Sequence, residues 1–160
     1  MNPKEAVSGW IDSVITRPRT EFGGLPVCPF ARSDGTRIVI GRSIGKLRKI
    51  LDAWDDSHCV VVFAHLMRPT LRKAFRIADS LNRRYESKDL VVLTDHPDKP
   101  LEFHGFRPSN GKYVLFLIQR LSRVNEATVM LSRSSRYYDS WSEENKDAVV
   151  RSRFGANSPI

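Results

Sequence analysis

Two carboxylates flank a histidine and a proline in the segment Asp95-His96-Pro97-Asp98, directly after the short apolar run 90–94. Imidazole and carboxylate groups can transfer protons or bind a metal ion. A buried strand that ends at such residues delivers them to the edge of a sheet, where α/β proteins bind their ligands. The segment therefore predicts a polar site at a sheet edge.

Two further residues have reactive side chains in suggestive places. His65 ends the apolar run 59–64, and Cys28 lies in a loop between Pro26 and Pro29. Thiolate and imidazole are ligands that zinc and other divalent transition metals prefer, so Cys28, His65 and His96 are candidate metal ligands. The spacing of these residues adds little support for a metal site, because the sequence contains no Cys-x-x-Cys and no His-Glu-x-x-His.

Thiol chemistry is a second interpretation of these residues. His65 or His96 would accept the proton of Cys28, and Asp98 would orient that base, which makes Cys28, His96 and Asp98 the candidate catalytic residues. Taken singly, each residue has a plainer role. A histidine at a strand end is commonly hydrogen-bonded structure, and a cysteine in a rigid loop is commonly a small buried hydrophobe.

The order of elements predicts how these residues are positioned. Strands at 37–40, 58–64 and 90–94 alternate with amphipathic helices that begin near Ser43 and Pro69. The apolar segment 113–118 predicts a fourth strand, with the start of a helix as the alternative. This βαβ order predicts one α/β domain over residues 1–154, with a mainly parallel sheet of about four strands flanked by helices, and a disordered tail at 155–160.

Parallel strands would bring separate loops to one edge of the sheet. Arg42, His65 and His96 would then emerge together, because the carboxyl ends of parallel strands meet at the same edge. Arg42 and Arg68 each follow a strand and are candidates for binding an anionic substrate.

The charge of the chain favours anionic partners. The 160 residues contain 26 Lys and Arg against 18 Asp and Glu, which gives a net charge of +8. An anionic small molecule, a nucleic acid and an acidic protein all fit this charge, and the arginines are dispersed along the sequence. With two cysteines, no signal peptide and no apolar run long enough for a membrane span, the sequence predicts a cytoplasmic protein.

Several motifs carry a resemblance to a known family. The segment Leu25-Pro-Val-Cys-Pro-Phe-Ala31 is similar to the Leu-x-x-Cys-Pro-Phe-Ala motif of the bacterial family of unknown function numbered 1415 in the DUF series. The apolar strand ending at His65, the segment Ala78-Asp-Ser-Leu81 and the segment His96-Pro-Asp98 also resemble that family in order and spacing. His104 stands where the family has alanine. The resemblance picks out Cys28, His65, His96 and Asp98 without implying a reaction.

Three functions remain open at this point. The first is a small enzyme-like domain, metal-dependent or thiol-based, that acts on an anionic small molecule. The second is a basic module that binds nucleic acid, or accompanies a nucleoprotein, without catalysis. The third is a subunit of a larger protein assembly, for which exposed Tyr137, Tyr138 and Trp141 would provide contacts.

Overall fold

Four strands and a series of helices form the fold in the computed structural model, which describes residues 2–31 and 35–160. The strands are β1 (Thr36–Gly41), β2 (Val60–His65), β3 (Leu90–Asp95) and β4 (Val114–Arg120). The helices are α1 (Pro3–Trp10), α2 (Ile44–Asp52), α3 (Leu71–Tyr85), α4 (Leu121–Ser134), α5 (Glu143–Lys146) and α6 (Ser152–Phe154). The α/β class is confirmed, and the fourth predicted element is a strand.

The sheet is mixed, with strand order β1-β2-β4-β3. β1 and β2 pair in parallel, whereas β4 runs antiparallel to both β2 and β3. The prediction of a mainly parallel sheet is therefore not confirmed. The connection 96–113 contains no helix, the element that usually makes the crossover to a parallel strand. The chain instead returns antiparallel and fills the space between β2 and β3.

Both faces of the sheet are covered, because side chains alternate along each strand. From β2, Val61 and Phe63 face α2 and α3 and join the largest core cluster. Val62 and Ala64 face the other side, where they pack with α1. The continuous apolar run of β2 thus reflects burial on both faces.

A separate aromatic cluster joins the N-terminal loop to the segments that follow β3 and α4. Phe22, Phe103 and Tyr137 lie at its centre, and Tyr138 and Trp141 pack against them. Tyr137 is only 5% exposed. Tyr137 is therefore buried and not exposed as the assembly hypothesis assumed, and Tyr138 and Trp141 are only partly exposed, because all three pack against a loop whose apolar residues need cover.

The C-terminal segment continues from α5 through a π-helical turn at Asp147–Arg151. Residues 155–160, predicted to be disordered, include a 3₁₀ turn at Gly155–Asn157 and end where the Ile160 carbonyl accepts a hydrogen bond from Arg151. Among the described residues, no helix combines the length and the apolar character needed to cross a membrane.

Candidate functional site

One edge of the sheet collects most of the residues singled out from the sequence. Because β4 is antiparallel to both β2 and β3, strands β1, β2 and β3 all run in one direction and end at the same edge. Gly41, His65 and Asp95 are their last residues. The edge was thus predicted correctly, although a mixed sheet forms it.

His96 is buried at this edge and uses both of its ring nitrogens. Its Nε2 lies 3.0 Å from the Pro69 carbonyl oxygen, and its Nδ1 accepts a hydrogen bond of 3.1 Å from the Asp98 amide. These partners fit a neutral ring with the proton on Nε2. The ring is 1% exposed. Its two hydrogen bonds tie the loop after β3 to the start of α3, and they leave neither ring nitrogen free for a metal ion or a substrate proton.

Asp98 and Arg68 bind each other on the surface of this edge. The guanidinium of Arg68 donates to the Asp98 carboxylate over 2.7 Å, and both side chains are more than half exposed. An exposed pair of this kind contributes little stability. Arg68 has a positive φ of 40°, in the tight connection between β2 and α3. The Asp98 carboxylate also lies 3.8 Å from Nδ1 of His96.

Asn110 is a member of this edge that the sequence reasoning missed. Its backbone amide and its side-chain Nδ2 both donate to the Asp95 carboxylate. Its Oδ1 accepts hydrogen bonds from the amides of Lys112 and Tyr113. This network fixes the turn that starts β4, so Asp95 has a structural role. The signal in the sequence was the Ser-Asn-Gly turn, where asparagine commonly bonds nearby backbone.

Cys28 lies in different surroundings from either histidine. Its amide donates to the Ile15 carbonyl, and the carbonyl of the preceding Val27 accepts a hydrogen bond from the Tyr137 hydroxyl. Burial raises the pKa of the Cys28 thiol, and backbone hydrogen bonds from Phe30 and Ala31 offset only part of that rise. The thiol form is therefore favoured over the nucleophilic thiolate.

The described residues do not bring Cys28, His65 and His96 together. Across 2–31 and 35–160, no three histidine, cysteine, aspartate or glutamate side chains are grouped so that they could hold a metal ion. Within the same ranges, no hydrogen bond joins Cys28 to His65 or His96.

The surface of α2 and α3 next to this edge is strongly basic. Residues 42–51 and 66–78 each contain four cations and no carboxylate. Arg68 is bound to Asp98, and Lys46 donates to the Ile40 carbonyl. The remaining six are exposed, and their side chains make no hydrogen bond or ion pair with any part of the chain that the structure describes: Arg42, Arg48, Lys49, Arg72, Lys73 and Arg76. We call these six residues the basic face.

A groove runs between the two helices within the basic face. Its volume is about 340 Å³, and it is lined by Ile44, Arg48, Lys73, Arg76, Ile77, Ser80 and Leu81. The apolar members come from the partly buried sides of α2 and α3, and the three cations border them. The nearest acidic residues along these helices are already bound: Asp52 accepts a hydrogen bond from Tyr85, and Asp79 pairs with Arg83.

His65 lies at the end of the basic face nearest the sheet edge. Its ring is 6% exposed, and its Nδ1 accepts a hydrogen bond of 3.2 Å from the Met67 amide. Burial lowers the pKa of His65, and the nearby ammonium of Lys73 lowers it further. The ring is therefore neutral at pH 7.

Comparisons with known proteins do not assign the chain to a family. No family model matches it, and neither a curated protein nor a solved structure is similar enough to count as a match. The resemblance to the family numbered 1415 stays a prediction.

Proposed function

We propose that this protein binds nucleic acid through the basic face of α2 and α3. The observation that carries the proposal is the set of six exposed cations on and next to two adjacent helices, unpaired among the described residues, with the neighbouring carboxylates already bound. Cations left without partners repel one another, and a polyanion removes that repulsion. Binding would also release the counterions condensed on the nucleic acid, which is the main source of sequence-independent affinity.

The spread of the basic face over two helices favours a polymer over a small anion. Arg48 and Lys49 lie on α2, Arg72, Lys73 and Arg76 lie on α3, and Arg42 precedes α2. A single phosphorylated metabolite would contact only one part of that face. A nucleic acid strand carries a phosphate at every nucleotide, so successive phosphates can meet successive cations.

The enzyme-like alternative has weaker support from the same geometry. His96 uses both ring nitrogens, and the raised pKa of Cys28 disfavours the thiolate that a nucleophile or metal ligand requires. Arg68, a candidate for binding an anionic substrate, is held by Asp98. Arg42 has no ion-pair partner among the described residues and belongs to the basic face.

Fluorescence anisotropy of the full chain with labelled single-stranded and duplex DNA tests the proposal. We expect affinity to fall steeply between about 50 and 200 mM KCl, because each neutralised phosphate adds about one unit to the log–log slope. The double variant Arg48→Ala/Arg76→Ala should weaken binding about tenfold or more and reduce the slope by up to about two.

The matched control is Arg123→Ala/Arg133→Ala on α4, which removes the same charge from two exposed arginines. We expect it to weaken binding much less than the variant on the basic face. Equal losses in the two double variants would show that net charge alone attracts DNA. Absence of binding at low salt, or binding that ignores salt, would also overturn the proposal.

A further inference from the structure

His65 combines a nearly closed position with one unused hydrogen-bond donor. It is the last residue of β2 and lies on the same side of the sheet as Val61 and Phe63, which is the side that α2 and α3 cover. Because Nδ1 accepts the Met67 amide, the proton of the neutral ring is on Nε2. Nε2 has no partner among the described residues and is not one of their fully buried unpaired atoms, so it keeps contact with solvent.

The start of α3 next to His65 also has positive groups that find no anionic partner within residues 2–31 and 35–160. Thr70 makes no side-chain hydrogen bond to the first turn, and that turn contains Lys73 but no carboxylate. The first turn of α2 likewise has no acidic residue. A helix N-terminus is the positive end of the helix dipole, so a cation there is unfavourable until an anion arrives.

We infer that His65 and Lys73 hold one phosphate group at the N-terminal end of α3. Nε2–H of His65 donates to a phosphate oxygen, Lys73 supplies the positive charge, and the free amides of the first turn complete the site. The inference rests on the proposed function in taking nucleic acid as the source of the phosphate. Inorganic phosphate has the same chemistry and serves as the probe.

Titration of the full chain with inorganic phosphate, followed by NMR of the histidine rings, tests this site directly. We expect the His65 signals to shift saturably, while those of His58 and His104 follow ionic strength alone.

His65→Phe keeps a ring and removes the donor, and it should weaken phosphate binding tenfold or more. Lys73→Gln, on the surface, should do the same without threatening the fold. The control Lys4→Gln removes an equal charge from an exposed position of α1, outside the basic face, and should change little.

Oligonucleotides with and without a 5′ phosphate identify the source of the group. A preference for the phosphorylated strand that His65→Phe abolishes assigns the site to a terminal phosphate. Equal affinity for both strands, with both weakened by His65→Phe, assigns it to an internal phosphate. Phosphate shifts that are as large at His104 as at His65, or affinities that neither His65→Phe nor Lys73→Gln changes, overturn the site. If the variant Arg48→Ala/Arg76→Ala loses DNA binding while phosphate still binds at His65, that result would support the phosphate site. It would also show that DNA binding depends on the cations of the groove between α2 and α3.

Discussion

His65 and His96 occupy equivalent places in the sequence, since each follows an apolar strand, yet their surroundings in the fold differ. His96 donates to the Pro69 carbonyl and accepts from the Asp98 amide, whereas one ring nitrogen of His65 has no partner in the part of the chain that the structure describes. The sequence predicted that both lie at one edge of the sheet. It did not show which ring was already bound, because the partners are backbone groups whose positions depend on the folded loops.

Replacing His96 should destabilise the fold. His96→Asn removes a buried ring and disturbs two hydrogen bonds to backbone groups, and leaving a buried polar group unpaired costs about 1–3 kcal/mol. We expect the free energy of unfolding to fall by about 2 kcal/mol or more, measured by urea denaturation. The matched control is His104→Asn, at an exposed position with a positive φ that asparagine tolerates. A His96→Asn protein as stable as the control would contradict the structural role of this ring.

The two cysteines should differ in reactivity. Burial raises the pKa of Cys28, whereas Cys59 is exposed. With iodoacetamide near pH 8, we expect Cys28 in the Cys59→Ser variant to react at least about tenfold more slowly than Cys59 in the Cys28→Ser variant. In denaturant the two rates should become equal. If Cys28 reacted faster than Cys59 in the native protein, the result would contradict this expectation and would support thiol chemistry at Cys28.

At the scale of elements, the sequence pattern predicts the strands but does not predict how they pair. The run 113–118 was predicted as a strand from its apolar residues, but its antiparallel direction and its place between β2 and β3 depend on pairing. Asn82 is another case. It occupies an ordinary polar position in a helical pattern, yet its side chain hydrogen-bonds both the amide and the carbonyl of Val92 in β3.

This asparagine should protect an exposed strand edge. β3 pairs with β4 on one side, and Asn82 occupies backbone groups of its other side. Asn82→Ala leaves both groups of Val92 without that partner, so we expect a loss of about 1–3 kcal/mol in urea denaturation and more self-association on gel filtration. Ser80→Ala on the same helix is the control. An unchanged Asn82→Ala protein would show that water replaces the amide at no cost.

At the scale of the whole molecule, the N-terminal loop is held by the aromatic cluster around Tyr137. Burial raises the pKa of Tyr137 well above its usual value, and burial also raises the pKa values of Tyr138 and Cys28. The sequence indicated that this loop folds back over the domain, since it is rich in apolar residues. It did not indicate that Tyr137 and Trp141 would be the residues that pack against it.

Alkaline pH should therefore unfold the protein. Thiols and phenols of the unfolded chain lose their protons first, near pH values of about 8.5 and 10, while the folded state retains them. The contribution of these three groups to the free energy of unfolding should be constant below about pH 8 and should fall as the pH rises through this range. Urea denaturation at several pH values measures the slope. The double variant Cys28→Ala/Tyr137→Phe should have a shallower slope, and an unchanged slope would show that these groups do not cause the loss.

The central claim is that nucleic acid contacts α2 and α3. Amide NMR spectra of the full chain, recorded during titration with single-stranded DNA at low salt, locate that contact residue by residue. We predict that the changes concentrate on 42–51 and 66–78, include His65 and disappear as salt is raised. Changes centred on α4, α5 or the aromatic cluster, with α2 and α3 unaffected, would contradict the account.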